Sequence, residues 1–175
     1  MNDDKLAESY QLAEALIAEQ NFAAAIGAGV VAALAGALAW GVAAVIVGAV
    51  PSWFAIGLGA LVGYGMQLFG KGLTAKYSIA AAFIAIFGCL AGYVAAAIIY
   101  ESKGSADTIG EIIGKLHLAD IVGFFVRELG FLDVLFLVLA AATAWYFAQR
   151  DLTRDQRFAV RKFAERPDPT QGVIR

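Results

Sequence analysis

Few side chains in this 175-residue sequence are of types that do chemistry, and they do not gather. His117 and Asp120 stand three residues apart, a spacing that on a helix lets an imidazole and a carboxylate share a proton or hold a metal. Zinc usually wants three or four N or S donors. One histidine and one cysteine in the whole chain make a thin ligand set, so the pair reads as two surface side chains. Cys89 has no disulfide partner and lies in an apolar run, where it reads as packing. Gly57-Leu-Gly59 and Gly63-Tyr-Gly65 resemble the loops that cradle phosphates. Such loops need a soluble strand before them and a helix N-terminus aimed at the phosphate. These glycines fall inside an apolar run, which points to helix packing. Ion-coupled transport marks a sequence with ionisable groups at bilayer depth. The nearest candidate is Asp133, three residues into the last apolar run and expected at its outer interface; Tyr64, Gln67 and Thr143 are the other notable polar side chains. No catalytic residue, metal or cofactor is expected, and the chain reads as a non-enzyme.

The elements that carry these residues are apolar throughout. Hydrophobic residues make up 61% and charged residues 16% of the chain, against roughly 45–50% and about 25% in soluble domains. The excess is concentrated in uncharged runs of the ~20 residues a membrane span requires. The expected fold is an all-α integral membrane protein with four transmembrane helices, at about 22–50, 53–70, 77–100 and 131–148. Pro51 closes the first, and Ser52-Trp53-Phe54 turns the chain with an interfacial tryptophan. The second is short; the third has a tyrosine at each end, Tyr77 and Tyr100. The start of the chain, Asn2-Asp3-Asp4, lacks the basic leader of a signal peptide, so the first span is expected to stay in the mature protein.

Three of the four spans carry small residues one helical turn apart. Gly29, Ala33 and Gly36 form one such stripe, Gly59 and Gly63 with Gln67 a second, and Gly88 and Gly92 with Ala81, Ala85 and Ala95 a third. In lipid, small residues let helix backbones approach closely, and a glutamine can hydrogen-bond across the contact. The second and third spans, joined by the tight Gly70-Lys71-Gly72 loop, are expected to pair. More seams are present than one bundle is expected to use internally, which points to assembly. The fourth span, Leu- and Phe-rich and free of glycine, is expected to face lipid.

Outside the spans, residues 1–21 read as an acidic amphipathic helix with Leu6, Tyr10, Ala13 and Ile17 on one stripe. It is either a solvated lead-in or a partner-docking helix. Residues 101–130 read as an external loop of two short amphipathic helices, the first opened by a Thr108–Glu111 capping box. The tail, 149–175, is basic and starts helical, with Arg150, Arg154, Arg157 and Arg161 on one face until Pro167 and Pro169 end it. Two uses of that face fit: packing against the acidic N-terminal helix, or contact with anionic head groups. Four spans put both termini on one side. That side holds ten of the 13 lysines and arginines, against Lys103, Lys115 and Arg127 on the other. Basic residues favour the cytoplasm, so both termini are expected inside.

The run from Gly57 to Gly72, GxGxxxGYGMQLFGKG, and the GCLAG of Gly88–Gly92 resemble a group of small bacterial four-span inner-membrane proteins of unsettled function. The resemblance covers residues 20–100. It implies the architecture and a bacterial inner membrane, and carries over no catalytic residue. The function expected is a small membrane scaffold or accessory subunit that self-associates or joins a larger assembly. An oligomeric channel lined by Gln67, Tyr64 and Thr143 is the alternative. Membrane lipids and a homo-oligomeric or larger membrane complex are the expected partners, with no nucleic acid.

Overall fold

The computed structural model describes residues 3–48, 52–104 and 108–165, and among them every regular element is a helix. In chain order these are α1 (Asp3–Ala18), α2 (Phe22–Val47), α3 (Phe54–Gly70), α4 (Ala75–Gly104), α5 (Ile109–Lys115), α6 (Leu118–Glu128), α7 (Phe131–Phe147) and α8 (Arg154–Ala164). They fall into two compact units: residues 21–149, and the two ends of the chain together. Pro51, Pro167 and Pro169 lie outside the described residues.

The larger unit is a bundle of α2, α3, α4 and α7. Asn21 starts α2 by accepting a hydrogen bond from the Ala24 N–H at 2.9 Å, the ordinary way an exposed first-turn N–H is satisfied. Gly48, at φ 73°, ends α2. Lys71 ends α3 in the same left-handed region, with its N–H on the Gln67 carbonyl at 3.0 Å. Helix α4 runs past Tyr100 to Gly104, because nothing in Glu101-Ser102-Lys103 breaks a helix. Helix α2 packs on α3 and α4, and α7 packs on the same two.

What the bundle buries is small. Its buried side chains are mostly alanines, with Trp40, Tyr77, Leu58, Met66 and Val62 among the few large ones. The large apolar side chains point outward instead: Val31 is 67% exposed, Phe87 68%, Phe131 83% and Ile46 79%. Water would drive such residues inward, since burying one is worth about 1.5–3 kcal/mol.

Two of the helices, α2 and α4, are long and apolar enough to cross a membrane. The other two bundle helices are apolar and 17 residues long, or ~26 Å at 1.5 Å per residue, against a hydrocarbon layer of about 30 Å.

The smaller unit is α1 beside α8. Ala13 and Leu16 of α1 and Ala159 of α8 are buried, and Tyr10 meets Phe163 edge-on with ring centroids 6.3 Å apart. Glu19 and Arg150 close it with an ion pair at 2.7 Å. Leu6, Tyr10 and Ala13 turn inward as the sequence spacing suggests, and the α1 stripe departs from it only at its end, where Leu16 is buried and Ile17 is 40% exposed. Thr153 and Gln156 start α8 with a reciprocal capping box, which satisfies two N–H groups at once.

Candidate functional site

Among the described residues, the chemistry-bearing group on which side-chain and backbone hydrogen bonds converge is the Asp133 carboxylate. It sits on the first turn of α7, and donors from three elements converge on it. Ser52, in the turn before α3, donates its hydroxyl to Oδ1 at 2.6 Å, and Tyr93 of α4 donates to the same oxygen at 2.6 Å. The Gly130 N–H donates to Oδ2 at 3.0 Å. Under this cluster lies Trp40 of α2, fully buried, its ring 4.8 Å from Tyr93 and 6.1 Å from Phe54. Gly92 makes room for the indole: a methyl group there would lie 2.7 Å from a ring carbon.

Hydrogen bonds to a charged group contribute roughly 1.5–3 kcal/mol each. Chemically, the arrangement is a clamp. One carboxylate ties the start of α7 to the start of α3 and to the middle of α4, and each of its oxygens is already occupied by donors. The sequence reading set Asp133 at an interface and gave it no partner. The signal was the Gly130-x-x-Asp133 pattern of a helix start; Ser52 and Tyr93, 81 and 40 residues away, are not visible in any local pattern.

The other candidates separate. Asp120 accepts from the backbone N–H of His117 at 3.1 Å, so the carboxylate caps α6 and is not spent on the imidazole. Cys89 is fully buried in the bundle core. Gln67 donates to the Gln149 carbonyl at 2.8 Å, tying the end of α3 to the end of α7. Thr143 donates to the Leu139 carbonyl of its own helix at 2.7 Å. Tyr64 is 52% exposed on the outer face of α3. It lines an open apolar groove of about 320 Å³ with Gly57, Ala60, Leu61 and Phe147. These three polar groups do not share a space within the bundle.

The glycines are taken up inside. A methyl group on Gly59 would fall on the Ala140 carbonyl, and one on Gly63 would lie 2.9 Å from the Phe147 Cβ and 3.1 Å from the Ala144 Cα. There the α3 and α7 backbones touch. A methyl group would lie 2.8 Å from Met66 on Gly29, 2.9 Å from Leu58 on Gly36 and 2.9 Å from Ala33 on Gly88. The Gly88–Gly92 part of the third-span seam therefore packs mainly on α2, with Leu58 of α3 also against Gly88. All six glycines of the sequence seams are consumed by one bundle, so the surplus of seams that pointed to assembly is absent.

Between α4 and the short helices α5 and α6 lies an apolar cavity of about 190 Å³, lined by Val94, Ile98, Ile112 and Phe124 with Glu101 and Asp120 among its walls. Helix α5 opens with the expected capping box. The Thr108 N–H donates to Glu111 Oε2 at 2.7 Å, and the Glu111 N–H donates to Thr108 Oγ1 at 3.4 Å. These bonds from Thr108 hold the Glu111 carboxyl below its usual range.

Of the arginine stripe, Arg150 pairs with Glu19, the residue just after α1. Arg154, Arg157 and Arg161 are exposed on α8. The class that fold and site define is an all-helical protein with two helices of membrane-crossing length and a carboxylate-clamped bundle. Comparison with protein-family models, curated proteins and solved structures gives no match.

Proposed function

We propose that this chain is a four-span protein of a bacterial inner membrane, both termini cytoplasmic, acting as a small non-enzymatic scaffold or accessory subunit. One observation carries the membrane part. The bundle turns alanine and glycine inward and Val, Leu, Ile and Phe outward, which suits a lipid solvent, where close backbone packing replaces the hydrophobic drive. A ~26 Å helix spans such a layer when the bilayer thins slightly or its ends snorkel. Helices α3 and α7 are then the second and fourth spans, packed on each other and on α4.

The assembly part rests on the outer face of α3. Tyr64 stands half-way along that span, half-exposed beside Gly57 and Ala60 in the α3–α7 groove. A phenol facing hydrocarbon is costly unless another polar group or helix covers it. With the glycine seams consumed internally, this groove is where a second helix fits. The channel alternative uses the same face, since Tyr64 would then line a space between subunits.

Native mass spectrometry of protein taken gently from its own membrane tests this reading. A defined oligomer or a larger complex, lost with Tyr64→Leu, supports it. A bare monomer, unchanged by that substitution, overturns it.

A further inference from the structure

The exposed face of α8 is built unlike the rest of the cytoplasmic unit. Ala159, buried, and Gln156, Val160 and Phe163, partly buried, turn toward α1. Arg154, Arg157, Phe158 and Arg161, at spacings of three, one and three, turn the other way. Phe158 is 45% exposed among them, and the Arg161 side chain is 82% exposed. Arg157 spends Nε on the Leu152 carbonyl at 3.0 Å, and Arg161 spends Nε on Glu165 at 3.1 Å. A guanidinium carries five N–H donors, so both keep donors to spare. Against these cations stand Asp155 and Glu165, the latter held below its usual range by Lys162 and Arg161. Glu8 and Glu14 on α1, and Glu19 just after it, lie on exposed positions. The pair thus exposes three arginines around an aromatic on α8, and a net acidic set of side chains on and just after α1.

We infer that the Arg154–Arg157–Phe158–Arg161 face of α8 seats on anionic phospholipid head groups of the cytoplasmic leaflet. The inference rests on the four-span reading. Chain connectivity favours it: residues 19–21 join α1 to α2, and residues 148–153 join α7 to α8. At no more than ~3.6 Å per residue, these links keep the Glu19–Arg150 end of the pair within reach of the membrane surface. The net acidity of the N-terminal helix repels an anionic surface and selects the side that turns down. Arginines hold phosphates through forked donors, and Phe158 enters the head-group region between them, as in helices that lie in an interface. Each cation near such a surface is worth about 1 kcal/mol, or roughly fivefold in partition.

The test uses the full chain in lipid nanodiscs. Because Cys89 is buried, Phe158→Cys supplies the accessible thiol for an environment-sensitive fluorophore. With phosphatidylglycerol present, the emission is expected to shift to the blue and to be quenched by spin-labelled lipid. In phosphatidylcholine alone it stays water-like. Reversing Arg154, Arg157 and Arg161 to glutamate abolishes the shift, and replacing all three by lysine restores most of it. A probe that stays in water beside phosphatidylglycerol overturns the inference. So does a shift that survives the reversals, or reversals that instead dissolve an oligomer in uncharged detergent, which would assign the face to a protein. A chain that fails to enter nanodiscs at all sinks the four-span reading beneath it, a result distinct from these.

Discussion

At the scale of single residues, the Asp133 clamp makes the sharpest claim. Ser52, Tyr93 and Gly130 share one carboxylate, so their contributions are coupled. Tyr93→Phe is expected to lower stability by about 1.5–3 kcal/mol, and Asp133→Asn by a similar amount. The double variant should cost clearly less than the sum, because each substitution already removes the same bond. Thermal unfolding in mild detergent reads this; strict additivity would mean that the Tyr93–Asp133 bond contributes nothing. A second residue-scale claim concerns Glu165, whose carboxyl Lys162 and Arg161 hold below the ordinary glutamate value of 4.5. A depressed folded-state value means that the stabilisation is present above the unfolded value and is lost as the pH falls through the folded one. An NMR titration should therefore place the Glu165 midpoint below 4.5, and Lys162→Gln with Arg161→Gln should raise it. A midpoint that the two substitutions leave unmoved would contradict the pairing.

Between elements, the close approach of α3 to α7 depends on glycine at two positions. Gly59→Ala puts a methyl group onto the Ala140 backbone, whereas at Gly57 nothing lies within 4 Å of the added atom. The first substitution is expected to destabilise by about 1–3 kcal/mol through overpacking. The second should be neutral, or stabilising by up to ~1 kcal/mol from helix propensity. Equal melting shifts for the two would contradict the packing. The helix-turn spacing of Gly59 and Gly63 makes their shared stripe readable in the sequence, but not the partner. A spacing says that something approaches closely; which helix does so is set by the order of packing around the bundle. For that reason Gly88 and Gly92 read as a seam toward the second span, while the fold turns them toward Ala33 and Trp40 of α2. Local signals fare better. Thr108 with Glu111 reads directly as a capping box because both partners lie within one turn. Asp133 reads poorly because its partners come from distant parts of the chain.

For the whole molecule, composition carries the helical character, and the contrast between small interior and large exterior side chains carries the proposed membrane setting. What composition leaves open is how many helices cross. Two have the length for it, and the two 17-residue helices that join them in the bundle owe their place to packing. The α1–α8 pair is a separate matter of charge. The arginine stripe reads as one face in the sequence, yet the fold divides it, giving Arg150 to Glu19 and leaving the other three outward. That division follows from where α8 begins, at Thr153, after Arg150 has already been passed. Breaking the Arg150–Glu19 pair by Arg150→Ala should therefore cost no more than about 1 kcal/mol, since it is partly exposed. Tyr10→Ala, which removes the aromatic contact with Phe163, should loosen the pair more, as read by amide exchange in α8.

The most direct test of the four-span reading is cysteine accessibility in intact bacterial cells. Single cysteines at Ser9, Trp53, Thr74, Ile109 and Asp151 are each probed with a membrane-impermeant maleimide. Trp53→Cys and Ile109→Cys should label from outside, and Ser9→Cys, Thr74→Cys and Asp151→Cys only after the inner membrane is opened. Labelling of Thr74→Cys and Trp53→Cys from the same side would mean that α3 does not cross, and would contradict the four-span protein proposed.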